Sequence, residues 1–216
     1  MQPPLDPRAR DAPRLGLYGG SFDPVHRGHL HCASVARAAG ALDHVVLVPA
    51  RQSPHKLDQR PAAGAERLQM CRLAFAELPW ASVWGVELER EGPSYTVDTL
   101  RELARLRGGS QGLHLILGDD NLPGLPSWRG VEELLRLGAP LVVHRERAGE
   151  DALGALEGAL SPAALERLRA GLAPCQAVEI SSSELRERLR AGGDGRPELP
   201  DSVWEYARQN GIYGAR

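Results

Sequence analysis

Four apolar runs, "RLGLYGG", "HVVLVPA", "LHLILGD" and "APLVVHR", recur along the chain, and the segments between them carry helical periodicity. A continuous apolar run suits a strand covered on both faces, which is the situation of a parallel strand. The first intervening segment places Cys32, Val35, Ala36 and Ala39 on one stripe, and a later one does the same with Leu68, Cys71, Phe75 and Leu78. Such alternation, with right-handed crossovers, predicts an α/β fold on a doubly wound parallel sheet. "ASVWGVEL" reads as a further strand and "SYTVDTLRELARLR" as a helix from about Tyr95. "WRGVEELLRLG" reads as a short helix, "AVEISSSELRERLRAGG" as a strand running into a helix, and "PDSVWEYARQNGIYG" as a terminal helix.

A length of 216 residues fits one core. The stretch "MQPPLDPRARDAPR" is rich in proline and charge without an apolar segment, so residues 1–13 are expected to form a disordered extension and not a signal peptide. Residues 14–216 are then one Rossmann-like domain, with a helical surface insertion at 148–173 and a small C-terminal helical part at 181–216. With 26 basic against 28 acidic side chains, no global charge favours nucleic acid, so any anion site is local. Cys32, Cys71 and Cys175 show no CxxC pairing, so neither a disulfide framework nor a zinc knuckle is indicated, and a reducing cytoplasmic setting fits. The apolar runs fall short of the ~20 residues of a membrane span. Oligomeric state stays open, a homo-oligomer included.

In open α/β sheets, ligands sit beyond the carboxyl ends of the strands. The first such end is "GGSFDPVHRGHLH", residues 19–31, poor in core-building residues. Gly19 and Gly20 permit a phosphate to approach the main chain, or simply make a tight turn. His26 and His29 lie three apart at a helix start, beside N–H groups that attract anions. Read from the residues alone, they form a phosphate site, with a metal pair and buried structural histidines as rivals. Lys56 is the only lysine among the 26 basic residues, and it falls in the loop "RQSPHK" after the second strand. A compact ammonium is not equivalent to a guanidinium fork. In "ISSSELR", Ser181 and Glu184 make a capping box and Arg186 follows within a turn. Trp128, in a loop rich in Gly and Pro, suits stacking, and Asp120 after "LHLILG" suits a ribose hydroxyl or an exposed turn.

These segments resemble a known family. "GGSFDPVHRGHL" is similar to the GxFDPxHxGH signature of the nucleotidyltransferases, with His26, Gly28 and His29 on its HxGH core. "VPARQSPHK" resembles the VPxxxPPHK segment of nicotinate-nucleotide adenylyltransferases, with Ser53 in place of proline. "SYTVDTL", "GDDNLPGLPSW" and "ISSSELRERLRAG" match SYTxDTL, GxDx7W and ISSTxIRxxLxxG in the family order, Ser183 standing for threonine. The resemblance implies adenylyl transfer from ATP, accompanied by Mg²⁺, to nicotinate mononucleotide, with His26, His29, Lys56 and Arg186 catalytic. It further implies ATP contacts at Gly19, Gly20, Ser21, Phe22, His26, Gly28, His29, Gly118, Asp120, Ile180, Ser181, Ser182 and Arg186. Ser21, Lys56, Tyr95, Thr96 and Trp128 would hold the mononucleotide. Nucleic acid and membrane are not implied as partners. A phosphopantetheine enzyme would carry threonine at position 26 and a cytidylyltransferase an RTxGIST segment, and neither is present. The remaining rivals are a nicotinamide mononucleotide enzyme and a non-catalytic nucleotide sensor.

Lys56→Arg should lower kcat/KM while leaving the unfolding midpoint near the wild-type value. A wild-type kcat/KM in that variant contradicts a specific role for the ammonium.

Overall fold

The computed structural model describes residues 4–52, 61–145, 148–176 and 180–215. The chain opens on a one-turn helix, α1 (Pro7–Asp11), followed by β1 (Leu15–Gly20), α2 (Arg27–Ala39), β2 (His44–Pro49), α3 (Gly64–Phe75) and the short β3 (Ala81–Val83). A single turn, α4 (Val86–Glu89), and α5 (Thr96–Arg107) lead to β4 (Leu113–Gly118). A 3-10 stretch at Asp119–Ser127 and α6 (Val131–Leu137) lead to β5 (Ala139–Arg145). Then come α7 (Ala148–Gly154), α8 (Pro162–Ala170), β6 (Leu172–Cys175), α9 (Ser182–Arg190), α10 (Asp201–Gln209) and a 3-10 turn at Ile212–Gly214.

The strands form one sheet in the order β3-β2-β1-β4-β5-β6, and every pairing is parallel. The order of strand addition reverses at β1, running outward to β3 on one side and from β4 to β6 on the other, so the carboxyl ends of β1 and β4 flank the crevice where such sheets bind ligands. The apolar runs are explained by the pleat, which sends alternate side chains to opposite faces. Leu15, Leu17, Val46, Val48, Leu115 and Val142 join one core with α1, α5, α6 and α8. Tyr18, Val45, Leu47, Ile116, Leu141 and Val143 join the other with α2, α3, α9 and α10.

Several segments differ from the sequence expectation. Residues 4–12 are ordered, not an extension: Asp6 caps α1 by accepting from Arg8 N (2.8 Å), Pro7 sits at its first position, and Leu5, Ala9 and Ala12 are buried. A polar surface around one small apolar face hid this helix from a composition reading. Arg107 Nη1 fastens it by donating to the carbonyls of Ala9 (3.1 Å) and Arg10 (2.9 Å). The 148–173 segment forms two helices, α7 and α8, and it adds an apolar face to the first core through Leu153, Leu156, Leu160, Leu165 and Leu168. Its end is a strand: β6 pairs with β5, Val142 opposite Leu172. That strand was expected a few residues later, at 177–180, of which 177–179 lie outside the described residues. Pro174 disguised it, and an edge strand tolerates proline. Finally, "ASVWGVEL" keeps its strand only to Val83, because Gly85 caps α4 and the Glu87 carboxylate turns inward to accept from Thr99 Oγ1 (2.6 Å).

Removing residues 1–12 should lower stability by roughly 2 kcal/mol or more, the scale of one buried leucine re-exposed. Urea unfolding measures it, and an unchanged midpoint would show that α1 is dispensable.

Candidate active site

β1 delivers Gly19 and Gly20 to the centre of the carboxyl edge of the sheet. Beyond them Phe22 adopts a left-handed backbone (φ 47°) and turns its buried ring against Tyr18 (5.4 Å between centroids) and His29 (5.1 Å). The loop then enters α2 with His26 as its cap. His26 is buried and stacks on His29 with ring centroids 3.8 Å apart. Its backbone N–H donates to His29 Nδ1 (3.1 Å), so that nitrogen is the acceptor and the proton of a neutral His29 resides on Nε2. Burial pushes His26 down to about 4, leaving the ring neutral at pH 7, and its buried Nδ1 has no hydrogen-bond partner among the described residues. Gly28 leaves room for this ring: a Cβ there would lie 3.0 Å from His26 Nδ1, a contact the ring would have to yield to.

A second helix start faces the first. Ser181 caps α9, its Oγ accepting from Glu184 N (3.3 Å), and Ser182 Oγ donates to Pro24 O (3.4 Å). Arg186, its side chain 14% exposed, donates from Nη1 to Asp23 O (2.7 Å) and lies 3.5 Å from Asp23 Oδ2. Two helix starts with their dipoles turned to one cleft, and a largely buried guanidinium beside them, suit an anion.

Beneath the loop runs Arg67 of α3, only 2% exposed. It donates to Ser21 O (2.7 Å), Ala62 O (3.0 Å) and Arg51 O (3.3 Å), joining the ends of β1 and β2. Across the cleft, Ser94 Oγ accepts from Arg51 N (3.0 Å), and Tyr95 leads into α5 with the Arg129 guanidinium 4.8 Å above its ring. Burial raises the Glu87 carboxyl beneath this segment above its ordinary range. Trp128 is half-buried against the first core. Gly118 matters for space, since a Cβ there would collide with Asp120 Oδ1, which accepts from Asn121 Nδ2 (2.9 Å).

These parts enclose one cleft of about 1340 Å³. Gly19, Gly20, Ser21, Phe22, His26, Gly28, His29, Tyr95, Thr96, Gly118, Asp120, Trp128, Ile180, Ser181, Ser182 and Arg186 all line it. Residues 19–29 and 180–186, far apart in sequence, thus share a cavity. Lys56 lies outside the described residues. No cluster of three or more His, Cys, Asp or Glu side chains suited to a metal ion occurs among the described residues.

The cytidylyltransferase-like family model matches residues 17–188. A protein of Roseiflexus sp. (strain RS-1), named "probable nicotinate-nucleotide adenylyltransferase", is 40% identical over 199 residues, covering 92% of this chain and 97% of its own. One of the same name from Synechococcus sp. (strain JA-3-3Ab) is 38% identical over 213 residues, covering 99% of both. The chain belongs to the nicotinate-nucleotide adenylyltransferases, within the cytidylyltransferase-like family. The fold has a solved counterpart in the nicotinic acid mononucleotide adenylyltransferase of Plasmodium falciparum complexed with NaAD, with a TM-score of 0.66 at 17% identity over 94% of this chain and 98% of that one.

Within this adenylyltransferase cleft, sequence reasoning missed Asp23, Arg67, Glu87 and Arg129. Arg67 left a trace, a charge beside Leu68 and Cys71 on the apolar side of its helix. Asp23 left only its place in "SFDP".

His26 also predicts a pH dependence. Its folded value near 4 is below the ordinary 6.5, so between them the unfolded chain binds more protons. The stabilisation is complete above pH 6.5 and is lost as pH falls toward 4, about 3 kcal/mol in all. Urea unfolding at pH 7.5 and 4.5 should show a smaller difference for His26→Gln than for wild type. Equal differences would mean the ring titrates normally.

Proposed function

We propose that the cleft transfers the adenylyl group of ATP to the phosphate of nicotinate mononucleotide, releasing pyrophosphate and nicotinate adenine dinucleotide. The observation that carries this reading is the convergence of the opening glycine-histidine loop and the start of α9 on one cavity. Two sources of anion-binding N–H groups, set against one another, suit a triphosphate and a phosphate acceptor at once.

The acceptor phosphate is ionised at neutral pH, so the reaction needs no general base to create the nucleophile. An acceptor oxygen attacks the α-phosphorus in line; the bond from that phosphorus to the β-phosphate oxygen breaks, and pyrophosphate leaves with the electron pair. Rate then comes from alignment and from charge neutralisation as the bond transfers. In this reading Gly19, Gly20 and Ser21 present backbone to phosphate, and His26 and His29 donate hydrogen bonds to the transferring group. Arg186, with Ser181 and Ser182 at the start of α9, holds the leaving phosphates. Lys56 would add charge at the acceptor. Tyr95, Thr96 and Trp128 line the wall suited to the pyridine ring. Gly118 and Asp120 face the ribose, and Phe22, Gly28 and Ile180 shape the wall around the histidines.

Mg²⁺ fits as a companion of ATP: with no three-donor cluster among the described residues, phosphate oxygens and water would supply most of its ligands. When bound, it would neutralise charge on the phosphates. No helix among the described residues is long and apolar enough to cross a membrane.

A pyrophosphate-release assay with ATP and each pyridine mononucleotide tests the reading. The expected result is turnover with nicotinate mononucleotide and weaker turnover with nicotinamide mononucleotide. ATP binding without release on either would make the protein a nucleotide sensor. His29→Ala should cost at least ~100-fold in kcat with the fold intact, the scale of losing a transition-state donor. A well-folded, fully active variant would remove His29 from the chemistry.

A further inference from the structure

The Asp23 carboxylate is 5% exposed, and groups from three distant segments compete for it. Tyr213 Oη donates to Oδ1 at 2.6 Å, and Ala62 N donates to the same oxygen at 3.0 Å. Arg186 Nη1 faces Oδ2 at 3.5 Å while donating to the Asp23 carbonyl at 2.7 Å, and its Nη2 donates to Ser183 Oγ at 3.2 Å. The carboxylate and guanidinium are therefore near but not joined in the two-pronged pairing that these groups ordinarily favour.

Tyr213 makes the shortest of the contacts on the carboxylate. With Oδ1 committed to the phenol and to Ala62, the carboxylate plane is fixed and only Oδ2 is offered to Arg186. Burial, followed by the Asp23 charge, pushes the phenol far above its ordinary range, so it is a hydrogen-bond donor throughout the working pH range. The backbone of Tyr213 is held at φ 58°, a region bulky residues rarely adopt and one that persists only where the surroundings over-determine it.

We propose that Tyr213 is a positioning residue for the nucleotide: by holding Asp23 Oδ1 it keeps Arg186 from collapsing into a bidentate ion pair and leaves the guanidinium charge for the phosphates. Arg186 touches the phosphates; Tyr213 acts on them only through Asp23 and Arg186. The inference rests on the adenylyl-transfer reading of the cleft.

Steady-state pyrophosphate release by wild type, Tyr213→Phe, Arg186→Ala and the double variant tests it. Tyr213→Phe removes one oxygen and should raise the KM for ATP about tenfold, the scale of a hydrogen bond to a charged group. The KM for nicotinate mononucleotide should not change. In the Arg186→Ala background the same substitution should change the KM for ATP less than about twofold, since coupled residues are not additive. A full tenfold effect in that background, an equal rise for both substrates, or a wild-type KM for ATP in Tyr213→Phe each overturns the proposal. Should Tyr213→Phe prove too unstable to assay, Asp23→Asn decides: with the competing charge gone, the KM for ATP should be at or below wild type, and a rise overturns the proposal. Wild-type protein inactive with both mononucleotides would instead sink the adenylyl-transfer reading.

Discussion

A charge taken out of water has to be answered from nearby, and in this molecule the charge is that of Asp23. Its carboxylate lies at the bottom of the loop that carries the histidines, and what answers it comes from the N-terminal side of α3, from α9 and from the turn after α10. Leaving such a carboxylate unpartnered would cost several kcal/mol. The same contacts therefore hold the loop against the helices and bring two remote stretches of chain to one cavity. Folding and site assembly are, at this residue, a single event.

The sheet makes that economy possible. Because β1 lies between β2 and β4, its carboxyl end opens where crossovers part to opposite faces, and no side chain is needed to excavate the crevice. Small residues then keep it usable: Gly28 admits the His26 ring and Gly118 admits the Asp120 carboxylate. The two histidines are arranged by the backbone itself, one offering its N–H to the ring of the other.

Much of this was legible in the letters, for physical reasons. Apolar runs of strand length announced the sheet because strands buried on both faces cannot alternate with polar residues. The loop, SYT and ISSS segments announced the cleft because anion binding at helix starts demands glycines, hydroxyls and caps at fixed offsets. What stayed hidden was whatever depends on long-range partners. The helix at 7–11 is stable because Leu5 and Ala9 find a core and Arg107 finds its carbonyls, neither visible locally. β6 hid behind Pro174, and the helical turn at 86–89 hid behind an apolar alternation that Glu87 and Gly85 overrule. Asp23 and Tyr213 are 190 positions apart, and nothing in either neighbourhood names the other.

Arg67 carries a consequence of its own. Among the described residues, the hydrogen bonds of its guanidinium go to main-chain oxygens, those of Ser21, Ala62 and Arg51. A girder bolted to the peptide backbone does not depend on the identity of the side chains at the carbonyls it grips, so this part of the frame survives a change of side chain at the rim. Replacing the girder itself has no such freedom, because three carbonyls would lose their donors together.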